Sequence, residues 1–271
     1  MTKSLILVFV VSFFSQLHAQ EVQTVPARFQ ALGDASVSIQ SPLSVFSNPA
    51  GFAGNNKVCF GVNYDNRFLL KELQSSAAFL ILPVHATAFG FSYSQFGGDG
   101  YREAKMALGV AKPLSRQLDA GIRFNYYRLF FPENDRNLST LSIDVGAQYQ
   151  LAHGIRIGGH AIKPYKIENQ HQLVQLNYPE ILRFGIQKHF DDRLLIAVEI
   201  RKLADFSPEV RCGMELNIRK QIQLRMGIES RLALFALGVG YKVKNLQTDV
   251  SFQYHQYLGY SPSFTIYYQL P

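Results

Sequence analysis

Asp119, Arg123, Asp144, Arg156, Arg183, Glu199, Arg201, Arg211, Glu215, Arg225, Glu229 and Asp249 recur at alternate positions among apolar side chains. Arginines and carboxylates in near balance at such positions can do one of two things. They can neutralise one another in an ion-paired network, which enclosed charge requires because an unpaired charge in a narrow lumen is expensive. Or they can line a polar conduit or an anion-favouring ligand site. The sequence leaves both open, and places Asp119, Arg123, Asp144, Arg183, Arg211, Glu215, Arg225, Glu229 and Asp249 at the centre of either.

Other chemistry is sparse. The seven histidines are dispersed without the paired spacing of zinc ligands, so neither a metal nor another cofactor is expected. Gly90-Phe91-Ser92-Tyr93-Ser94 lacks the second glycine of a nucleophile elbow. A lipid hydrolase with His85 and Ser92 or Ser94 facing lipid is the one enzymatic reading left, and a non-enzyme is expected. Asn137-Leu138-Ser139 matches a glycosylation sequon by chance. Cys59 is expected to face inward and Cys212 outward, which argues for two free thiols rather than a disulfide.

The elements that carry these residues alternate with period two. Leu118, Ala120, Ile122, Phe124 and Tyr126 share one face of an extended segment, with Asp119, Gly121, Arg123 and Asn125 on the other. Leu141 to Gln150, Val210 to Arg219, Ile222 to Glu229 and Leu246 to His255 repeat the pattern. This predicts about fourteen strands, near 57–69, 73–82, 85–96, 101–113, 118–130, 138–151, 155–163, 181–190, 194–202, 209–218, 222–230, 232–243, 246–257 and 262–270. Links after even-numbered strands are short, and most of those after odd-numbered strands are longer. The first and eleventh strands are exceptions, with short links at the long-link end. Strands of about 9–11 residues cross a bilayer when tilted, and tight turns at one end with longer loops at the other are expected of an outer-membrane barrel.

A soluble sandwich also alternates. Its polar face is usually rich in Lys, Thr and Ser, whereas here Arg, Asp, Glu, Gln and Gly dominate. That mixture suits a hydrated, crosslinked interior in which Gly leaves room for large neighbours. Tyr and Phe gather near strand ends, where rings sit at a membrane boundary. Composition agrees: of 271 residues 47% are hydrophobic and only 17% charged, which excludes disorder. The expected fold is an all-β transmembrane barrel of about fourteen antiparallel strands, closed because hydrocarbon cannot satisfy an open sheet edge.

Residues 1–20 read as a cleavable secretory signal: Lys3, an apolar centre from Leu5 to Phe14, and cleavage near Ala19 or Gln20. The formal net charge is +7, so loss of Lys3 with this segment leaves +6. Residues 21–56 do not alternate and carry small residues, two Ser/Asn-Pro steps and buried-type apolar residues. They read as a compact plug or strap ahead of a barrel at 57–271.

This segment resembles the start of the FadL-like outer-membrane proteins, including the PorV/PorQ family of Bacteroidetes. The matching positions are Ala27-Arg28, Ala31-Leu32-Gly33, Ala35 to Ser38, and Asn48-Pro49-Ala50-Gly51. The resemblance implies an N-terminal hatch, residence in the cell outer membrane, and one of two activities: assistance to type IX protein secretion, or uptake of hydrophobic small molecules. The short loops argue against a large capture site and favour the secretion role. A structural or adhesion barrel is a third reading. Gln40-Ser41 and Leu43-Ser44 stand where members often carry an acidic pair, and the chain ends on Pro271 rather than an aromatic.

Expected partners are outer-membrane lipid, lipopolysaccharide, secretion-system subunits or cargo, and a hydrophobic ligand. Arg102, Arg136, Lys163 and Lys166 are the candidates for lipopolysaccharide, against ordinary solvated charge. Nucleic acid is not expected, because the basic residues are scattered over alternating strands of an exported chain.

Overall fold

The computed structural model describes residues 24–131, 136–165, 180–191, 193–204, 206–231 and 233–271. The expected signal segment, 1–20, lies outside them. One short helix, α1 (Ala27–Ala31), and two 3-10 turns, Pro42–Phe46 and Pro49–Phe52, precede a closed antiparallel barrel. Its strands are β1 (Cys59–Asn66), β2 (Gln74–Val84), β3 (Thr87–Gly97), β4 (Arg102–Pro113), β5 (Leu118–Phe131), β6 (Arg136–Gln150), β7 (Ile155–Tyr165), β8 (Ile181–Phe190), β9 (Leu194–Leu203), β10 (Glu209–Arg219), β11 (Ile222–Glu229), β12 (Leu234–Val243), β13 (Leu246–His255) and β14 (Gly259–Gln269). Each pairs with its sequence neighbour, and β1 closes on β14 from Cys59↔Gln269 to Asp65↔Ser263. Closure leaves no unpaired edge, which an apolar surround would not tolerate.

The alternation sets the two faces. On β5, Phe124 is 51% exposed and Arg123 1%. Ile122 pairs with Val145, and both point outward from a single sheet. This excludes the sandwich, in which such residues would meet between layers. Among the described residues no helix is long and apolar enough to cross a membrane; the apolar exterior is carried by strands, as in membrane barrels.

Links 85–86, 114–117, 151–154, 220–221 and 244–245 and the C-terminal end of β8 lie at one end, with both ends of the barrel sequence. The other end carries the links 67–73, 98–101 and 256–258 and the C-terminal ends of β5, β7, β9 and β11. Most strand boundaries fall within two residues of expectation, and two differ by three. β1 stops at Asn66 rather than 69, because Phe68 and Leu69 turn left-handed over the rim (φ 56° and 58°) and the Phe68 amide donates to Ser261 Oγ at 3.0 Å. The first link therefore belongs with the longer ones. β14 begins at Gly259, since Gly259 takes φ 89° and His255 Nδ1 accepts from the Tyr257 and Leu258 amides, tightening the preceding turn.

Candidate functional site

Residues 24–56 pack along the inner wall and meet the strands in descending order. The Ala27 amide donates to Thr265 Oγ1 of β14 at 2.8 Å, and Ser251 Oγ of β13 bonds Gln30 Oε1 at 2.6 Å. Ala31 lies on Gly238 of β12, and Leu32 on Gly213 of β10 and Gly227 of β11. The Ser36 and Val37 amides both donate to Glu199 Oε2 of β9 at 2.9 Å. Val37 and Ser38 then lie against Gly185 of β8 and Gly158 of β7, Pro49 against Gly121 of β5, and Phe52 against Gly109 of β4 and Gly90 of β3.

These wall glycines are required by closeness. A Cβ on Gly121 would stand 2.6 Å from the Pro49 carbonyl carbon, and one on Gly158 2.8 Å from Ser38 Cα. The room that the sequence assigned to large neighbouring side chains is taken by the backbone of the N-terminal segment.

The motif residues shape that segment. Ala31, Leu32, Asn48, Pro49, Ala50 and Gly51 are buried. Gly33 at φ 63° turns the chain after α1 with its Cα against the Ile228 backbone. Asn48 works at both ends of its amide: Oδ1 accepts from the Ala50 amide at 3.0 Å, while Nδ2 donates to Val37 O at 2.7 Å and to the wall carbonyl of Gly159 at 3.2 Å. Pro49 opens the 3-10 turn, where a missing N–H costs nothing. Gly51 closes it, since a Cβ there would stand 2.7 Å from Ile39 O.

The inward charges pair across strands and onto this segment. Arg123 Nε donates to Asp144 Oδ2 at 2.7 Å, and Arg123 also reaches Val45 O. Arg183 bonds Glu199 at 2.6 Å and Ser36 Oγ at 2.8 Å. Arg211 bonds Asp34, stands 2.6 Å from Glu209 and lies 3.7 Å from Glu229. Arg225 bridges Glu215 at 2.6 Å and Asp249 at 2.7 Å, while Arg28 reaches Glu215 at 2.8 Å. Asp119 pairs with Arg156 at 3.3 Å near the short-link rim and accepts from Gln40 Nε2 of the N-terminal segment at 3.3 Å. The register makes the first contacts local: Arg123 faces Asp144, Glu215 faces Arg225, and Arg211 faces Glu229.

Arg28, Asp34 and Glu209 belong to this network, and His160 Nε2 lies 3.7 Å from Asp144 Oδ2; none of the four was singled out by alternation. Arg28 and Asp34 sit on the non-alternating segment, and Glu209 opens a strand directly after Pro208. Burial opposes the charges of both segment residues. Arg211 and Arg183 overcome it for Asp34 and hold its carboxyl below the ordinary range; Glu215 does so for Arg28 and raises its guanidinium further.

At the long-link end the segment leaves a cavity of about 310 Å³. Its floor carries Asp34, Arg201 and Arg211, and its apolar walls include Val25, Phe68 and Leu258. The hydrolase arrangement does not form. Phe89 and Phe91 take the outward face of β3, so Ser92 and Ser94 are buried inward, and His85 occupies the β2–β3 turn. Cys59 is buried inward and Cys212 faces outward, both free. Among the described residues no group of His, Cys, Asp or Glu is placed to hold a metal ion. Of the lipopolysaccharide candidates, Arg102 is exposed beside Asp99 at 3.7 Å and Lys163 is exposed near the end of β7. The Arg136 side chain and Lys166 lie outside the described residues.

Solved structures share this architecture. The P. putida toluene transporter TodX superposes with a TM-score of 0.69 at 10% identity, over 92% of this chain and 99% of that one. The chain has the fold of these channels. A Pseudomonas aeruginosa FadL homologue gives 0.63 at 13% identity, over 91% and 98%. The Acinetobacter baumannii outer membrane protein Omp33 gives 0.53 at 7%, over 79% and 98%. No family model and no curated protein matches the sequence.

Proposed function

We propose that this chain is a non-enzymatic channel of the bacterial outer membrane, of the FadL type, for small hydrophobic molecules. The observation that carries the reading is the shared fold with TodX and the FadL homologue over nearly the whole of each chain. The apolar exterior supports a bilayer surround, and the long-link cavity offers an entry site bounded by apolar side chains. Residues 21–56 act as the hatch of a barrel at 57–271, with the Ala31-Leu32-Gly33 and Asn48-Pro49-Ala50-Gly51 segments seating it and the ion pairs anchoring it.

This reading replaces the secretion-associated role favoured by the short loops. TodX, which shares the fold over nearly the whole of both chains, is a toluene transporter, and this supports transport over secretion. Deletion of the gene tests the choice. Slower uptake of toluene with an unchanged set of secreted proteins is expected; normal uptake with impaired secretion would overturn it.

A further inference from the structure

The short-link rim is basic. Its turns carry His85, Arg116, His153, Lys220 and Lys244, and Arg193 stands between β8 and β9. Among the described residues the exposed carboxylate there is Asp191. Cations also stand on the outer wall just inside this rim. Lys112 follows Leu108 and Val110 along the outward face of β4, and Lys188 follows Phe184 and Ile186 along that of β8. On β10 the register shifts after Asn217, so that Arg219 comes opposite Ile222, an outward position. At the long-link end, outward cations have oxygen partners: Arg102 stands 3.7 Å from Asp99, Arg128 Nη2 donates to Asn137 Oδ1 at 2.9 Å, and Lys202 donates to Phe206 O. Lys112, Lys188 and Arg219 have none among the described residues. Lys188 Nζ instead lies 4.6 Å from the centroid of the Phe190 ring, two residues nearer the rim, which holds the ammonium at the boundary.

From Lys188 toward the middle of the wall, the outer surface is dented. Gly159 presents no side chain on the outward face of β7, and it faces Ala147 of β6 and Phe184 of β8. This leaves an apolar groove of about 500 Å³ between Tyr149, Ile157, Phe184, Ile186 and Ile200, which reaches Leu118 beside the rim.

We propose that this groove and Lys188 form a site for one anionic phospholipid of the short-link leaflet, its acyl chain lying over Gly159 and its phosphate at Lys188. Lipid tails are as apolar as the wall, so the groove sets where a chain lies and the cations set which lipid it belongs to. Lys188 stands two residues beyond Ile186, about 7 Å along the strand, comparable to the glycerol that separates a phosphate from its acyl chains. Arg116, two residues before Leu118, flanks the mouth of the groove on the other side. A zwitterionic headgroup would bring its own ammonium into this cationic field, whereas an anionic one brings none. A soluble acidic partner would meet the turns, but cations on the outer wall face the headgroup layer instead. The site rests on the membrane placement of the wall and is independent of what the barrel carries.

Dioleoyl phosphatidylglycerol and dioleoyl phosphatidylethanolamine are the matched probes, with the same chains and different headgroup charge. Native mass spectrometry of the full barrel, released from a neutral detergent holding equal amounts of both, reads the bound lipid directly. Phosphatidylglycerol is expected to exceed phosphatidylethanolamine by about fivefold or more, and Lys188→Gln to cut that ratio by about fivefold, the effect of one cation at a lipid surface. Lys71→Gln at the opposite rim is expected to leave the ratio unchanged. Gly159→Leu fills the groove without altering a charge and is expected to lower retention of phosphatidylglycerol several-fold; it carries the test if K188Q does not reach the folded barrel, unchanged retention then overturning the site. An excess of glycerol 3-phosphate is expected not to displace the lipid. A wild-type ratio near one, the same ratio in K188Q, or displacement by glycerol 3-phosphate would overturn the assignment, the last by showing a site for free phosphate. Toluene uptake by cells is read separately: uptake without a lipid preference keeps the channel and removes the site, and a lipid preference without uptake does the reverse.

Discussion

Arg28 and Glu215, 187 positions apart, meet in a fork: Nε donates to Oε2 at 2.8 Å and Nη2 to Oε1 at 3.0 Å. Glu215 also takes Arg225, which continues to Asp249. One side chain of the N-terminal segment is thereby tied to β10, β11 and β13. The tie makes the segment part of the wall's charge balance.

The two ends of the fork are not equivalent. Arg28→Ala leaves Glu215 with Arg225, so the loss is that of charge-assisted hydrogen bonds, about 1.5–3 kcal/mol. Glu215→Ala strands Arg28 and weakens the hold on Arg225, and removal of one member of a buried ionic group costs about 3–5 kcal/mol. Denaturant unfolding of the detergent-solubilised barrel is expected to rank E215A below R28A. The reverse order would mean that Arg28 contributes through something other than its fork with Glu215.

Asp34 gives the segment a pH dependence. Its folded carboxyl lies below the ordinary value of about 3.9. A depressed folded pKa contributes stability that is present above the unfolded value and is lost as pH falls through the folded one. Seating of the segment is therefore expected to hold at neutral pH and weaken progressively on acidification below about pH 4. Single-channel conductance in planar bilayers checks this. Conductance is expected to rise on acidification, and Asp34→Asn is expected to show part of that rise already at neutral pH.

The strands were legible because their physics is local. A residue such as Arg123 between Ile122 and Phe124 has only one extended conformation that separates it from both, so the barrel wall, its strand number and the inward set could be read along the chain. What each inward residue touches could not. Glu199 faces Gly185 and Arg211 across the wall, yet its second oxygen is taken by two amides of the segment, Ser36 and Val37. That contact depends on a chain path with no periodicity to announce it. The same holds for Glu209, whose three arginine neighbours come from β9, β10 and the link after β11.

The outward face is predicted to discriminate by depth. Phe124 lies midway along β5 and is exposed. Arginine on the lipid face near the midplane costs about 2–4 kcal/mol, falling to about 0–1 near the boundary. Phe124→Arg is expected to lower folding yield into lipid vesicles, while Leu114→Arg in the β4–β5 link leaves it unchanged. Equal yields for the two would mean that the face carrying Phe124 does not meet hydrocarbon.

Gly158 and Gly159 give the sharpest test of the segment's seat, because they are neighbours on opposite faces of β7. A Cβ on Gly158 would stand 2.8 Å from Ser38 Cα, a backbone atom that cannot rotate away. A Cβ on Gly159 would meet only the edge of the Phe184 ring, at 3.5 Å, an ordinary contact. Overpacking of this kind costs about 1–3 kcal/mol. Gly158→Ala is therefore expected to push the segment off β7, destabilising the barrel by that amount and raising its conductance, and Gly159→Ala to change neither. Matching behaviour of the two variants would show that the segment does not lie against this wall in the membrane, since the only asymmetry between the two positions is what stands inside.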